Sequence, residues 1–149
     1  PQAIRDQKTS HAPALASALG GNRVYLFWKG MGDDLRIWHA WLDDGNLSIW
    51  QAGREVTFDE AQATGMVRRN IFTDHHVAAA NRSDGTITLA WKGMPDDYGL
   101  LFAPLQNGEW SGEIRIPNVT SSTGPALGEF DGRLFMAWKG IPGDDRLFF

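Results

Sequence analysis

The sequence predicts an all-β fold made of three copies of one four-stranded unit, and three observations carry that expectation. The run Trp28-Lys29-Gly30-Met31-Gly32-Asp33-Asp34 returns as Trp91-Lys92-Gly93-Met94-Pro95-Asp96-Asp97 and again as Trp138-Lys139-Gly140-Ile141-Pro142-Gly143-Asp144-Asp145. An aromatic, a cation, a glycine and two carboxylates recurring three times mark tandem copies of one supersecondary unit. Around each run, short alternating segments are separated by turn signals at intervals of roughly 8–12 residues, the spacing of sandwiches, barrels and propeller blades. Each copy also opens on a segment rich in Ala and Gly.

Taken in order, residues 2–8 contain a strand-like piece, Ala3-Ile4-Arg5-Asp6, that resembles Glu113-Ile114-Arg115-Ile116 at the end of the second copy. The chain is therefore expected to begin with the last strand of a repeat. In the first copy, approximately residues 12–55, Ala14 to Leu19 is small and apolar and Gly20-Gly21-Asn22 is a turn. Arg23 to Lys29 then alternates, with Val24, Leu26 and Trp28 on one face and Tyr25, Phe27 and Lys29 on the other. Leu35 to Leu42 is the third strand, Asp43-Asp44-Gly45-Asn46 a hairpin turn, and Leu47 to Gln51 the fourth strand. The second copy, approximately 75–117, repeats the plan with Val77 to Ala80, Thr86 to Lys92, Leu100 to Leu105 and Trp110 to Ile116. In the third copy, approximately 124–149, Leu134, Met136 and Trp138 share a face, and Leu147-Phe148-Phe149 lies in the third strand. The N-terminal piece is the expected fourth strand of this copy.

The first two tryptophans of the repeat are 63 residues apart and the second pair 47, so the first interval carries an insertion, placed at approximately 56–73. Phe58 to Ala63 would accommodate a helical turn within it. An insertion into one copy of a symmetric array is a candidate for a working loop.

Small side chains in the first strand suit the innermost strand of a propeller blade, which lines a narrow channel. Three blades fall short of the usual four to eight, which leads to a six-bladed homodimer. A β-trefoil, with three repeats of four strands closing as a monomer, is the competing architecture.

With 149 residues and no cysteine, the chain fits one domain without a disulfide framework or a Cys-based metal site. A formal charge of −4 and only one basic doublet, Arg68-Arg69, argue against a nucleic-acid surface, so no nucleic-acid partner is expected. No apolar run reaches membrane length and none resembles a signal peptide, so membrane insertion is not expected, and secreted and cytoplasmic locations both stay open. No cofactor motif is visible.

The repeat resembles bacterial and fungal propeller repeats in which Pro-Ala-Leu-Ala, a Gly turn, Arg-Leu-aromatic-x-Ala-Trp-Lys-Gly and Gly-Asp-(Asp) follow one another. Pro125-Ala126-Leu127, Gly132-Arg133-Leu134-Phe135-Met136-Ala137-Trp138-Lys139-Gly140 and Gly143-Asp144-Asp145 match that form. In outline it is similar to multivalent propeller lectins and to Asp-box sialidase-like propellers. Asp43-Asp44-Gly45 keeps the Asp-x-Gly core of an Asp-box, but Trp50 falls two residues late. The lectin resemblance implies sugar binding.

Read that way, each blade offers one shallow site, with Lys29, Lys92 and Lys139 as donors and Asp33, Asp34, Asp96, Asp97, Asp144 and Asp145 as acceptors. The opposing possibility is a structural ion pair within each loop. Trp38, His39 and Trp41 make the third strand of the first copy more polar and aromatic than its equivalents Leu101, Phe102 and Pro104, which marks a further candidate site. His75-His76 is a poor chelate, since adjacent strand residues face opposite ways. No nucleophile with its base and no metal set is visible, so binding leads over catalysis. The alternatives are a glycan-active hydrolase or lyase using a central channel and the insertion, with Glu55, Asp59 and Glu60 as carboxylates, and a protein-interaction scaffold.

Overall fold

The structure is a computed structural model that describes residues 3–4, 6–18, 23–43, 49–63 and 65–149. Among these residues every regular element is a strand. The first sheet has the order β1 (Ala14–Ser17), β2 (Arg23–Lys29), β3 (Ile37–Asp43) and β4 (Arg54–Glu55). A separate antiparallel hairpin follows, β5 (Thr57–Gln62) paired with β6 (Gly65–Asn70). The second sheet runs β7 (Ala78–Asn81), β8 (Ile87–Lys92), β9 (Gly99–Gln106) and β10 (Glu109–Trp110), with β11 (Ile114–Thr120) also on β9. The third consists of β12 (Ala126–Phe130), β13 (Arg133–Lys139) and β14 (Leu147–Phe148). All strand pairings are antiparallel, and all but that of β11 with β9 join consecutive strands, as expected where short turns link them.

Several boundaries differ from the sequence reading. The insertion holds a β-hairpin and no helical turn: Phe58 alternates inward between Thr57 and the exposed Asp59, a period of two that a helix does not give. Ile49 to Gln51 carries no strand, and the fourth strand of the first sheet is the later pair Arg54–Glu55. The turns expected at 20–22 and 44–46 lie outside the described residues, as do Leu47 and Arg5. Ala3 and Ile4 belong to no strand, and Asp6 sits in a turn with φ 52°. Gln7 places its side chain beside Gly53 and Trp28, on the first sheet.

Register fixes two faces per sheet. On the first, Ala14, Ala16, Tyr25, Phe27, His39 and Trp41 share the face called front here, and Leu15, Val24, Leu26 and Trp28 the back. On the second, Ala79, Ile87, Leu89, Trp91, Leu101, Ala103 and Leu105 form the back. The main apolar core joins the front of the first sheet to the back of the second, with Val56, Phe58 and Ile71 sealing it from the hairpin side. Apolar area removed from water along this seam is the principal stabilising term. The first strands lie side by side: β7 touches both β1 and β12. Asn81 donates to Ser17 Oγ and accepts from the Ser17 amide, while Glu129 accepts from the Ser83 amide, so polar links tie the first strands of neighbouring sheets to one another and to the turn after β7.

Candidate functional site

The repeated loops share one hydrogen-bond plan. In each, the amide of Asp34, Asp97 or Asp144 donates to the carbonyl three residues earlier, of Met31, Met94 or Ile141. The same aspartate accepts from the amide two residues ahead, of Arg36, Gly99 or Arg146. This Asx turn is completed by an arginine fork: Arg36 on Asp34, Arg146 on Asp144 and, in the second loop, Arg115 from β11 on Asp97. Gly99 occupies the place of Arg36 and Arg146, and a Cβ there would collide with the Arg115 guanidinium. The carboxylate folds back under Gly30, Gly93 and Gly140, where an added Cβ would overlap it, which is why the loop needs glycine. The arginine neighbour holds all three carboxyls below the usual carboxylate range, Asp144 down to about 2.

The lysines serve the same loops. Lys29 Nζ donates to the carbonyls of Gly30 at 3.2 Å, Gly32 at 2.7 Å and Asp34 at 3.3 Å, and to Ser10 Oγ at 3.2 Å. Lys92 Nζ reaches Asp74 Oδ1 at 2.8 Å and the carbonyls of Gly93 and Met94. Both side chains are buried, so their ammonium groups are spent on backbone acceptors and do not face solvent. Lys139 is more exposed and pairs with Asp145 at 2.6 Å. Asp33 and Asp96 stand exposed at the loop tips and accept no hydrogen bond from a described residue. Trp38 donates its indole N–H to Asp34 and lies under the Arg36 guanidinium, so it belongs to the first loop as well as to β3.

A concave feature among the described residues lies elsewhere. A cleft of about 980 Å³ opens between the front of the first sheet and the β9–β10 side of the second, and the hairpin forms one wall. Its floor is aromatic: Tyr25, His39 and Trp41 come from β2 and β3, Trp110 from β10. Tyr25 and His39 lie with ring planes 2° apart, and Trp110 meets Phe27 and Phe58 edge-on. The guanidinium groups of Arg23 and Arg54 lie 5.3 Å and 5.1 Å from the centre of the Trp41 ring. Arg23 is held by Asp43, Arg68 faces Asp59 at 3.5 Å, and Arg54 has no carboxylate partner among the described residues.

Two polar atoms of this floor, His39 Nδ1 and Trp41 Nε1, are buried without a hydrogen-bond partner among the described residues. Unsatisfied buried donors and acceptors cost stability and are uncommon in folded proteins. Burial first, and the Arg54 charge second, press His39 down to about 4, so the imidazole is neutral at pH 7. The carboxylates at the rim are Glu55, which binds Arg36, together with Asp59 and Glu109. No group of three or more His, Asp or Glu among the described residues is placed to hold a metal ion.

Of the residues marked from sequence, Trp38, His39, Trp41, Glu55 and Asp59 line the cleft, whereas the loop residues Lys29, Lys92, Asp34, Asp97 and Asp144 build the turns. Sequence reasoning passed over Arg54 and Trp110. The signal that finds them is the hairpin itself, because a wedge between two sheets spreads the residues on either side of it. No family model matches the chain, and no curated protein matches it.

Proposed function

We propose that the chain is a non-enzymatic carbohydrate-binding protein of propeller type, whose glycan site is the cleft between the first and second sheets. The adjacency of β1, β7 and β12, each the small-residue strand of its sheet, supports the radial arrangement over a trefoil. The observation that carries the ligand class is the cleft floor: the half-buried Trp41 and Trp110 offer aromatic surface to the C–H face of a pyranose, and Arg54 and Asn70 offer hydrogen bonds to its hydroxyls. A pocket of this size takes a short oligosaccharide. The hairpin is unique to the first copy, so this reading places one such site per chain and leaves the repeated loops a structural role.

Tryptophan fluorescence titrated with a panel of neutral and acidic oligosaccharides tests it. Saturable quenching in the wild type, lost by at least tenfold in affinity in Trp41→Ala and Trp110→Ala, is the expected result. Binding that both variants retain would sink the cleft. A hydrolase reading is favoured by one feature, the carboxylates Glu55, Asp59 and Glu109 at the same cleft, and release of new reducing ends during the titration would favour it over simple binding.

A further inference from the structure

The front face of the second sheet and that of the first are buried, and the same face of the third is not. At equivalent positions along the second strand, Phe27 and Ala90 are both 0% exposed, and Ala137 is exposed. Tyr25 and Thr88 are buried, but Phe135 is 45% exposed. Phe130 and Leu147, on the same face by register, are 75% and 82% exposed. At the opposite end of the stack, the back of the first sheet shows Leu15 at 60% with Val24 and Leu26 half-buried, while Trp28 and Ala40 at the far end of that face are covered; the back of the second, Ile87, Leu89 and Trp91, is buried against the first. Inside the chain the sheets thus meet front to back. One front and one back keep exposed apolar side chains, Phe130, Phe135 and Leu147 on the one and Leu15 on the other.

We infer that these two faces are the halves of one interface and that a second copy of this chain occupies it, the front of the third sheet seating on the back of the first. The argument is continuity: the uncovered faces continue the pattern of the faces that already pack together within the chain, and a sheet of this same repeat is the shape that such a face accepts. An exposed apolar sheet face of this extent is otherwise an aggregation hazard. The contact is heterologous, yet two chains close it twice around a two-fold axis, so assembly stops at a dimer of six sheets. It rests on the stacking of the sheets and not on glycan binding.

The test uses the whole chain in sedimentation equilibrium and native mass spectrometry at tens of micromolar. A mass near twice 16.5 kDa is expected. Phe135→Asp and Leu15→Asp lie on exposed positions and should keep the wild-type circular dichroism while each weakens association at least 100-fold. An equimolar mixture of the two variants should recover a heterodimer, because one front and one back in that pair remain intact. A monomeric wild type overturns the inference. So does a dimer that Leu15→Asp leaves unchanged, since that would mean two fronts meeting face to face.

Discussion

The second and third repeated loops carry nearly the same residues and the same turn, but they keep their lysines in different states. Lys92 is 1% exposed and bound to Asp74, whereas the Lys139 side chain is 38% exposed and bound to Asp145, itself on the surface. The turn is local: an aspartate, a glycine that leaves room for it, and an arginine fork. Burial is supplied from outside the loop, by the neighbouring sheet and by the segment preceding β7. A duplicated motif therefore reproduces its hydrogen bonds wherever it occurs, and its energetic weight depends on what covers it.

The largest test of that difference is to remove each ammonium. Lys92→Met leaves Asp74 and two carbonyls without their donor in a buried setting, and we expect a loss of about 3–5 kcal/mol in urea unfolding. Lys139→Met should cost under about 1 kcal/mol, because an exposed pair is screened by water. Equal losses at the two sites would break the comparison.

Acid unfolding should separate the cleft from the loops. His39 falls from an ordinary value of 6.5 to about 4 in the folded state, so the unfolded chain binds the extra proton. Its contribution is complete above about pH 6.5 and declines as pH falls toward 4, by about 3 kcal/mol in total. The loop aspartates are also depressed, by their arginines, and their contribution is present above the ordinary value of 3.8 and lost as pH falls further, for Asp144 through about 2. Urea midpoints measured across pH should show two separate declines. Burial lowers His11 and His75 as well, so His39→Phe should reduce the upper decline without abolishing it, and Asp144→Asn should reduce only the lower.

The smallest effect concerns the arginine exchange in the second loop. Arg115→Ala removes the fork on Asp97 and is expected to cost roughly 0.5–1 kcal/mol, the range of a well-formed partly exposed pair. Gly99→Arg in that background would rebuild the arrangement of Arg36 and Arg146, and the midpoint should return toward wild type. Gly99→Arg alone should destabilise, because its Cβ meets the Arg115 guanidinium.

Much of the fold was legible because its signals are local. Alternation in Arg23–Lys29 and Arg133–Lys139, Asp-Gly and Asn-Gly turns, and the triple Trp-Lys-Gly run led to strands that the structure contains. The hairpin was not legible, because Thr57–Gln62 has one inward apolar residue, Phe58, and its strand pairing is decided by Gly65–Asn70 across the turn. The cleft was half legible. Trp38 and His39 stood out as departures from the repeat, while Arg54 and Trp110 looked ordinary until the sheets brought them together.

The sequence by itself determined an all-β chain of repeated units, since turns and alternation depend on residues close in the chain. Only the tertiary structure decided which lysines are buried, which faces stay bare and where the cleft lies. Those properties arise from packing between segments far apart in sequence, and no local pattern encodes that distance.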